Sequence, residues 1–549
     1  MSPQASSAAA VPQRDVVLSV ADLTVSLPKG MERTHAVRDI SFDLKQGEIL
    51  CIIGESGSGK SVTANAIMGL LPSVIKVTQG SIRFQGVDLV TADDASLRAL
   101  RGRAVSIIFQ DPLSALNPLM TIGSQIMEVM EAHDFGTPET RRRKVLELLD
   151  EVGLPEPGLL QHQYPFRLSG GQRQRVMIAM ALALDPDILI ADEPTTALDV
   201  TTQAQILDLI RKIQRRKHMS VMFITHDFGV VAEIADRVIV MEKGNLVEQG
   251  DVREVLERPR HPYTRRLIAA VPRMREVDKD AVPQERVVLR VENLNKTYRV
   301  ASGLLSKGRT VHAVKDVSFT LQQARTLGIV GESGSGKSSL GRVLIKLLDA
   351  DGGKIVFDGK DILPLAEDAF RPMRKSIQMI FQDPFASLNP RLTIGRILTV
   401  GPVSGGLSIR DAKAKAVDLL DLVGLDAGAY DRFPHEFSGG QRQRIGIARA
   451  LMFDPQLLIA DEAVSALDVS IQAQVLELLS RIQQDRKIAM IFITHDLRVA
   501  SQICDEIAVM YKGSVVEYGP PARIFRSPAH DYTRRLVSAI PGNEWAPAA

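Results

Sequence analysis

Gly54-Glu55-Ser56-Gly57-Ser58-Gly59-Lys60-Ser61 is the stretch on which the organisation of this 549-residue chain depends. The apolar run before it, residues 49–53, predicts a buried strand, and residues 62–71 after it predict a helix. The pattern G-x-x-x-x-G-K-S between a strand and a helix is typical of a phosphate-binding loop, or P-loop. Gly54, Gly57 and Gly59 let backbone amides surround phosphates, and the helix N-terminus favours an anion. We expect Lys60 to reach the β- and γ-phosphates of a nucleotide and Ser61 to bind Mg²⁺.

The same octapeptide occurs again, letter for letter, at residues 331–338, after the apolar run 326–330. Further stretches recur in the same order, so one domain-sized unit is written twice. The recurring stretches are Phe-Gln-Asp-Pro at 109–112 and 381–384, Ser-Gly-Gly-Gln at 169–172 and 438–441, Asp-Glu at 192–193 and 461–462, and the histidines His226 and His495. The second P-loop predicts a second nucleotide site with the residues Gly331, Gly334, Gly336, Lys337 and Ser338.

The composition favours a protein with several packed cores and without a nucleic-acid partner. Apolar residues make up 45% of the chain, and the formal charge is +2 from 67 basic and 65 acidic side chains. Cys51 and Cys504 both lie in apolar segments, which indicates small buried residues in a reducing compartment rather than a disulfide framework or a zinc site. No run of about 18 apolar residues occurs, and residues 1–13 lack the basic start and apolar core of a secretory signal.

The chain divides into two tandem α/β domains by its pattern of strands and helices. We predict a disordered tail at 1–15, a first domain at 16–272, a linker at 273–286, a second domain at 287–541 and a frayed end at 542–549. Alternating strands and helices favour a parallel sheet with helices on both faces. Segments 17–27, 36–44 and 81–84 predict an antiparallel β-layer around the P-loop strand, and 97–154 predicts a helical region.

Asp192-Glu193 and Asp461-Glu462 end apolar strands with two carboxylates. Phosphoryl transfer needs one carboxylate to hold Mg²⁺ and one to polarise the attacking water. Adjacent strand residues point to opposite sides, so the two side chains can take different roles. A solvated strand end would look the same in isolation, but the position after a P-loop in both copies favours the chemical interpretation.

Further polar residues follow strands or begin helices in both copies. Gln110 and Gln382 can contact the metal or its water from a mobile loop, and His226 and His495 can bind the γ-phosphate from a strand end. The stretches beginning at Ser169 and Ser438 predict capped helix N-termini that offer another anion site. Each of these features alone more commonly has a structural role. Because they occur in the same order after a P-loop in both copies, the sequence favours a role in binding or hydrolysing a nucleotide.

Taken together, these motifs resemble the ATPases of the ATP-binding-cassette (ABC) family over nearly the whole chain, residues 16–541. Within that family, Leu-Asn-Pro after each glutamine and the Tyr-Thr-Arg-Arg tails at 263–266 and 532–535 are similar to the ATPases of oligopeptide, dipeptide and nickel importers. Those usually work as two separate subunits. This chain looks like the two fused, because 192–196 reads Asp-Glu-Pro-Thr-Thr and 461–465 reads Asp-Glu-Ala-Val-Ser.

The resemblance implies an intramolecular head-to-tail dimer of nucleotide-binding domains that hydrolyses ATP with Mg²⁺. The resemblance implies that one ATP binds between Lys60 and the pair Ser438 and Gly440, and the other between Lys337 and the pair Ser169 and Gly171. It implies that Glu193 and Glu462 are the catalytic bases. The implied metal ligands are Ser61, Gln110, Asp192, Ser338, Gln382 and Asp461. The implied partners are two transmembrane permease subunits and, indirectly, a solute-binding protein. The implied location is peripheral, on the cytoplasmic face of the inner membrane, and the implied cargo is peptides or peptide-like solutes.

Two departures from the family pattern bear on the sites. Tyr298 fits the aromatic residue that stacks on adenine, whereas the matching place in the first half holds Leu27, so nucleotide affinity is expected to differ between the sites. Some relatives hold an iron–sulfur cluster on cysteines near the tail. No cysteine lies near either tail here, so no cluster is expected.

A second class of protein, a soluble ribosome-associated translation factor, also fuses two such cassettes. Its members carry a long charged helical linker, whereas residues 273–286 are short and contain Pro283. A chromosome or DNA-repair ATPase would need zinc modules or long coiled coils, which this sequence lacks. The sequence therefore favours the importer ATPase.

Overall fold

The computed structural model describes residues 15–31, 33–196, 198–274, 286–300, 309–465, 467–542 and 545. The contacts of the chain cluster into two units, and the main boundary between them lies between Ala269 and Ala270. The predicted tails at 1–15 and 542–549 and the predicted linker at 273–286 lie largely outside the described residues, so the domain bounds stay predictions. Within the described ranges, no helix is both long and apolar enough to cross a membrane.

The first unit contains two sheets with different pairing. Its strands are β1 (Val16–Ser26), β2 (His35–Lys45), β3 (Ile49–Ile53), β4 (Lys76–Phe84), β5 (Val87–Asp88), β6 (Val105–Ile108), β7 (Ile188–Asp192), β8 (Ser220–Ile224), β9 (Arg237–Glu242) and β10 (Asn245–Asp251). One sheet is antiparallel, in the order β2-β1-β4-β5. The other has the order β10-β9-β3-β8-β7-β6 and is parallel except at β10.

The P-loop strand lies in the parallel sheet, between β9 and β8, and not in the antiparallel layer that the sequence placed around it. All residues of β3 are buried, which explains why it reads as a continuous apolar run without alternation. The strand β6 precedes Gln110, as the apolar residues there predict, and it lies inside the region 97–154 that is otherwise predicted to be helical. It is short, and four apolar-rich residues carry little periodicity.

Helices cover and extend the parallel sheet of the first unit. They are α1 (Lys60–Ile67), α2 (Asp94–Leu100), α3 (Pro112–Ala115), α4 (Ile122–Glu131), α5 (Pro138–Glu151), α6 (Pro157–Leu160), α7 (Gly170–Ala181), α8 (Val200–Lys217), α9 (Phe228–Ile234), α10 (Val252–Glu257) and α11 (Pro262–Ala269), with a 3₁₀ turn at Pro165–Arg167. The apolar spacing in α4 and α5 predicts their positions to within two residues at each end. Buried residues of α4 such as Ile122, Ile126 and Met130 recur at helical spacing.

The second unit repeats this architecture. Its strands are β11 (Val287–Val300), β12 (Arg309–Gln322), β13 (Thr326–Val330), β14 (Gly352–Phe357), β15 (Lys360–Asp361), β16 (Ile377–Ile380), β17 (Leu457–Asp461), β18 (Ala489–Thr494), β19 (Glu506–Tyr511) and β20 (Ser514–Gly519). They form an antiparallel sheet, β12-β11-β14-β15, and a largely parallel sheet, β16-β17-β18-β13-β19-β20. The tandem α/β fold with an antiparallel β-subdomain and a helical subdomain is therefore confirmed.

The helices of the second unit follow the same order as those of the first. They are α12 (Lys337–Leu344), α13 (Glu367–Phe370), α14 (Pro384–Ser387), α15 (Ile394–Ser404), α16 (Ile409–Leu422), α17 (Gly439–Leu451), α18 (Val469–Arg486), α19 (Leu497–Ile503), α20 (Pro521–Arg526) and α21 (Asp531–Ser538), with 3₁₀ turns at Arg371–Lys375, Ala427–Asp431 and Pro434–Glu436. The P-loop strand β13 pairs in parallel with β18 and β19, so all three carboxyl ends meet at one edge. That edge carries the P-loop.

Candidate functional site

The P-loop of the first unit connects the buried strand β3 to α1. Lys60 is only 5% exposed, and its Nζ donates hydrogen bonds to the carbonyls of Gly54 at 2.7 Å and Glu55 at 3.0 Å. The Ser61 hydroxyl donates to Oδ1 of Asp192 at 3.0 Å. The structure thus joins the hydroxyl predicted for Mg²⁺ to the first carboxylate of the Asp-Glu pair, and holds the lysine against the P-loop backbone.

The second unit has the same contacts at nearly the same distances. Lys337 donates to the carbonyls of Gly331 at 2.8 Å and Glu332 at 2.9 Å, and Ser338 donates to Oδ1 of Asp461 at 3.0 Å. Burial raises the pKa of Asp461 and lowers that of Lys337. A bound polyanion would favour the charged lysine, because an opposite charge nearby offsets the desolvation of the ammonium.

Glu193 and Glu462 leave their strands in the left-handed backbone region, with φ of 46° and 48°. The sequence suggested that alternation along the strand separates the two carboxylates. The structure shows instead that the turn after Asp192 separates them. Left-handed conformations are uncommon for non-glycine residues and cost about 1–3 kcal/mol. The backbone N–H of each glutamate holds this turn, because it donates to the neighbouring strand at Ile224 or Ile493, both at 2.9 Å.

The carboxylate of Glu193 contacts the other polar residues that the sequence predicts for the site of the first unit, Gln110 and His226. Its Oε2 accepts hydrogen bonds from Nε2 of Gln110 and from Oγ1 of Thr196, both at 2.9 Å. Its Oε1 lies 3.4 Å from Nδ1 of His226. Burial alone would raise the pKa of Glu193, but the hydrogen bond and charge of His226, with Lys60 and Thr196, lower it to about 2. The glutamate is thus an ionised acceptor at neutral pH.

Glu462 gathers the matching residues in the second unit, with one difference. Nε2 of Gln382 donates to its Oε2 at 2.7 Å, and Nδ1 of His495 lies 3.6 Å from its Oε1. Burial lowers the pKa of His495, but Glu462 outweighs this and the pKa is raised. Ser465 takes the place of Thr196, and its hydroxyl donates to the carbonyl oxygen of Glu462 at 3.1 Å.

The residues that begin the signature helices have clear structural roles. The hydroxyl of Ser169 accepts from the N–H of Gln172 at 3.2 Å, and the Gln172 side chain accepts from the N–H of Ser169 at 3.0 Å, which completes a capping box. Ser438 and Gln441 form the same box. A Cβ on Gly171 would approach Cγ2 of Thr202 to 2.6 Å, so a glycine is needed there for packing against α8.

The two residues predicted to meet adenine differ in their surroundings. Tyr298 is 36% exposed, and its hydroxyl lies 3.4 Å from that of Ser339, which follows the P-loop serine. Leu27 instead packs against the core cluster of the first unit. The structure therefore places Tyr298 beside the second P-loop helix, whereas the corresponding residue of the first unit is a leucine packed on the core.

Sequence reasoning missed three residues that contact the P-loops. The hydroxyl of Tyr263 accepts from the N–H of Glu55 at 3.1 Å, and that of Tyr532 accepts from the N–H of Glu332 at 2.9 Å. Nη2 of Arg33 donates to the carbonyl of Gly57 at 2.7 Å. Both tyrosines belong to the Tyr-Thr-Arg-Arg tails, whose recurrence was the available signal.

Comparisons with known proteins identify the family of this chain. The family model described as "ABC transporter" matches residues 37–196 and 314–465, more than half of the chain. A second model, described as "Oligopeptide/dipeptide transporter, C-terminal region", matches residues 247–297 and 516–547. The chain therefore belongs to the ABC transporter family and is an ATPase of that family.

Relatives of similar length share both halves of the chain. A glutathione import ATP-binding protein from Shigella dysenteriae serotype 1 is 48% identical over an alignment of 557 positions, which covers 96% of this chain and 89% of the relative. The protein of that name from Escherichia coli K12 shows the same values, and that from Salmonella choleraesuis is 46% identical. A solved dimeric bacterial ABC transporter cassette is 32% identical and covers 43% of this chain and 99% of its own, with a TM-score of 0.40.

Proposed function

We propose that this chain hydrolyses ATP at two P-loop sites and thereby energises an importer of peptides or peptide-like solutes, glutathione among them. The observation that carries the proposal is the group of Gln, Glu and His beside each P-loop: in both units the Gln donates a hydrogen bond to the Glu carboxylate, and the His lies at ion-pair distance from it. The match of both tails to the oligopeptide/dipeptide transporter region and the names of the relatives support the solute class. They give no support to a translation factor.

The site residues take roles that follow from their chemistry. Lys60 and Lys337 bind the β- and γ-phosphates, while the glycine-rich backbone surrounds them. Glu193 and Glu462 are the bases that accept hydrogen bonds from the attacking water, because their carboxylates are ionised at neutral pH. His226 and His495 orient these carboxylates and contact the γ-phosphate, and Gln110 and Gln382 link the site to the helical subdomain.

Mg²⁺ is implied by the family, and the residues present fit it. Ser61 with Asp192, and Ser338 with Asp461, bring a hydroxyl and a carboxylate oxygen together at the end of each P-loop. Oxygen ligands of this kind suit a hard divalent cation, which keeps several waters and binds phosphate oxygens as well. When bound, the ion neutralises charge on the phosphates.

The partners that this proposal requires are membrane permeases, with a solute-binding protein acting on the outer side. The segment after Gln110 offers exposed apolar surface at Leu113 and Leu119, which are 60% and 84% exposed. Exposed apolar residues beside a moving loop are suited to a protein interface. We infer that the chain works peripherally, at the inner face of the membrane.

A pull-down of the tagged protein from membranes in mild detergent, followed by mass spectrometry, tests this assignment. Multi-span permeases are expected to copurify with the wild type and to be lost in Leu119→Glu. Val74→Glu is the matched control, because Val74 is 66% exposed and lies in the connection between α1 and β4. Recovery of ribosomal proteins instead of permeases would contradict the proposed partner. Equal recovery of permeases with both variants would contradict the proposed surface.

A further inference from the structure

In each unit, one tyrosine of the C-terminal Tyr-Thr-Arg-Arg segment contacts the P-loop of the same unit. Tyr263 lies in α11 and Tyr532 in α21, and each hydroxyl accepts a hydrogen bond from the backbone N–H of the second P-loop residue, Glu55 or Glu332. About 200 residues separate the partners in sequence, 208 in the first pair and 200 in the second. The contact is therefore a product of the fold, made twice.

The tyrosine and the P-loop lysine hold opposite edges of one peptide group. The Gly54–Glu55 peptide donates its N–H to Tyr263 and accepts at its carbonyl oxygen from Nζ of Lys60, at 2.7 Å. In a trans peptide these two groups point in opposite directions, so a hydroxyl on one side fixes the carbonyl on the other. The second unit repeats the arrangement with Tyr532, the Gly331–Glu332 peptide and Lys337.

The peptide needs this support because it follows a glycine in an unusual conformation. Gly54 has φ of 153°, and a Cβ there would lie 2.2 Å from the carbonyl oxygen of Met241. Gly331 has φ of 154°, with the carbonyl of Met510 at 2.3 Å. No larger residue fits, and glycine leaves the peptide free to rotate. The tyrosine hydroxyl therefore selects the orientation that presents the carbonyl to the lysine.

The tyrosines are themselves fixed, by the same contacts in both units. Tyr263 is 4% exposed and Tyr532 is 2% exposed. The carboxylate of Glu248 accepts from the N–H groups of Arg260 at 2.7 Å and His261 at 3.1 Å, and Nδ1 of His261 accepts from the N–H of Tyr263 at 3.3 Å. Glu517 and His530 do the same at the start of α21. The last strand of each sheet thus anchors the tyrosine helix.

We propose that Tyr263 and Tyr532 are positioning residues that hold the P-loop lysines ready for the phosphates of ATP, so that nucleotide affinity depends on the C-terminal segment of each unit. The proposal rests on ATP binding at the P-loops, as proposed above. It gives the Tyr-Thr-Arg-Arg tails a role in the nucleotide site, to which their sequence alone does not connect them.

The test compares the full-length wild type with the double variant Tyr263→Phe/Tyr532→Phe, which removes two hydroxyls and keeps both rings. The dissociation constant for trinitrophenyl-ATP and the KM for MgATP are expected to rise about three- to tenfold, as the loss of the hydrogen bond to the P-loop peptide in each site predicts. The kcat is expected to stay within about twofold, since the substitution changes the binding of phosphates more than the base. A merely structural role would lower the melting temperature and leave the dissociation constant unchanged.

Two controls separate this inference from the nucleotide-site assignment. The Tyr263 hydroxyl, besides accepting from the peptide, donates to Oε2 of Glu55 at 3.3 Å. Tyr518→Phe likewise removes a hydroxyl that donates to a glutamate, Glu506, but Glu506 is the strand partner of Leu327, at the end of β13 away from the P-loop. It should leave nucleotide affinity unchanged. Lys60→Ala/Lys337→Ala should abolish binding of the probe.

An unchanged dissociation constant in the phenylalanine pair, together with lost binding in the alanine pair, overturns the positioning role alone. Unchanged binding in the alanine pair overturns the P-loop assignment and the positioning role with it. The single variants Tyr263→Phe and Tyr532→Phe serve if the pair folds poorly. Each is expected to weaken one class of site and leave the other at the wild-type value.

Discussion

Each unit of the chain contains one cysteine, and the two cysteines stand at different positions of the repeated fold. Cys51 in β3 corresponds to Gly328 in β13, and Cys504 after α19 corresponds to Ala235 after α9. In the second unit a Cβ at Gly328 would approach Sγ of Cys504 to 2.7 Å. In the second unit a glycine therefore faces a cysteine in a closely packed interior, and at the matching positions of the first unit the sequence has the larger residue, Cys51, in the strand and the smaller, Ala235, after the helix.

This exchange predicts a compensating pair of substitutions. Gly328→Ala alone should destabilise the second unit by about 1–3 kcal/mol, because the new Cβ overpacks a buried site. Adding Cys504→Ala removes the opposing sulfur and should restore much of the loss. Thermal unfolding of both variants and of Cys504→Ala alone measures the coupling. Additive effects of the two substitutions would show that the residues do not share this space.

Burial also predicts the reactivity of the thiols. Cys51 is fully buried, and burial, with the nearby Asp236 carboxylate, raises the pKa of its thiol far above the ordinary range. Only the thiolate reacts, so native protein should resist iodoacetamide even at about pH 9, above the ordinary thiol pKa near 8.5. Mass spectrometry should find both cysteines alkylated after unfolding in guanidinium. Rapid native labelling of Cys51 would contradict its burial in β3.

At the scale of elements, the signature helices depend on their first residue. Ser169→Ala removes the cap of α7 and should cost about 1 kcal/mol, whereas Ser169→Asn keeps a side-chain acceptor. Hydrogen exchange of the nucleotide-free protein should therefore show faster exchange in the first turn of α7 with alanine and little change with asparagine. Equal exchange in both variants would mean that the capping box does not hold this helix end.

Sequence reasoning located elements well where periodicity or repetition is strong. The P-loop, the helices α4 and α5 and the strand β8 are predicted by their own patterns. The sheet to which β3 belongs could not be read in this way, because an apolar run of five residues fits a parallel or an antiparallel sheet equally. The left-handed turn at Glu193 was missed, since it depends on a hydrogen bond from a neighbouring strand.

Contacts between distant segments were the least predictable part of the site. The sequence singles out Gln110, Glu193 and His226 separately, and the structure joins them at one carboxylate. Tyr263 stands in a recurring tail, but nothing in its local sequence names the peptide that it binds. The internal repeat helps here, because a contact that is made by Tyr263 and again by Tyr532 has two independent examples in one chain.

At the scale of the whole molecule, two complete residue sets predict two competent ATP sites. Glu193→Gln and Glu462→Gln should each reduce turnover sharply, and the double variant should lose about 10²-fold or more, the usual contribution of a general base. Glu147→Gln is a matched control, because Glu147 is exposed on α5 and pairs with Arg143. A steady-state ATPase assay decides this. Unchanged turnover in one single variant would show that its site does not contribute.

Solute uptake in cells that carry the native permeases shows whether this chain energises import. Deletion of this chain should abolish uptake of labelled glutathione or of a labelled tripeptide, and the wild type should restore it. Glu193→Gln/Glu462→Gln, produced at the same level, should not restore it, because import requires ATP hydrolysis. Uptake of both solutes that persists without the chain, or equal rescue by the double variant, would contradict the account.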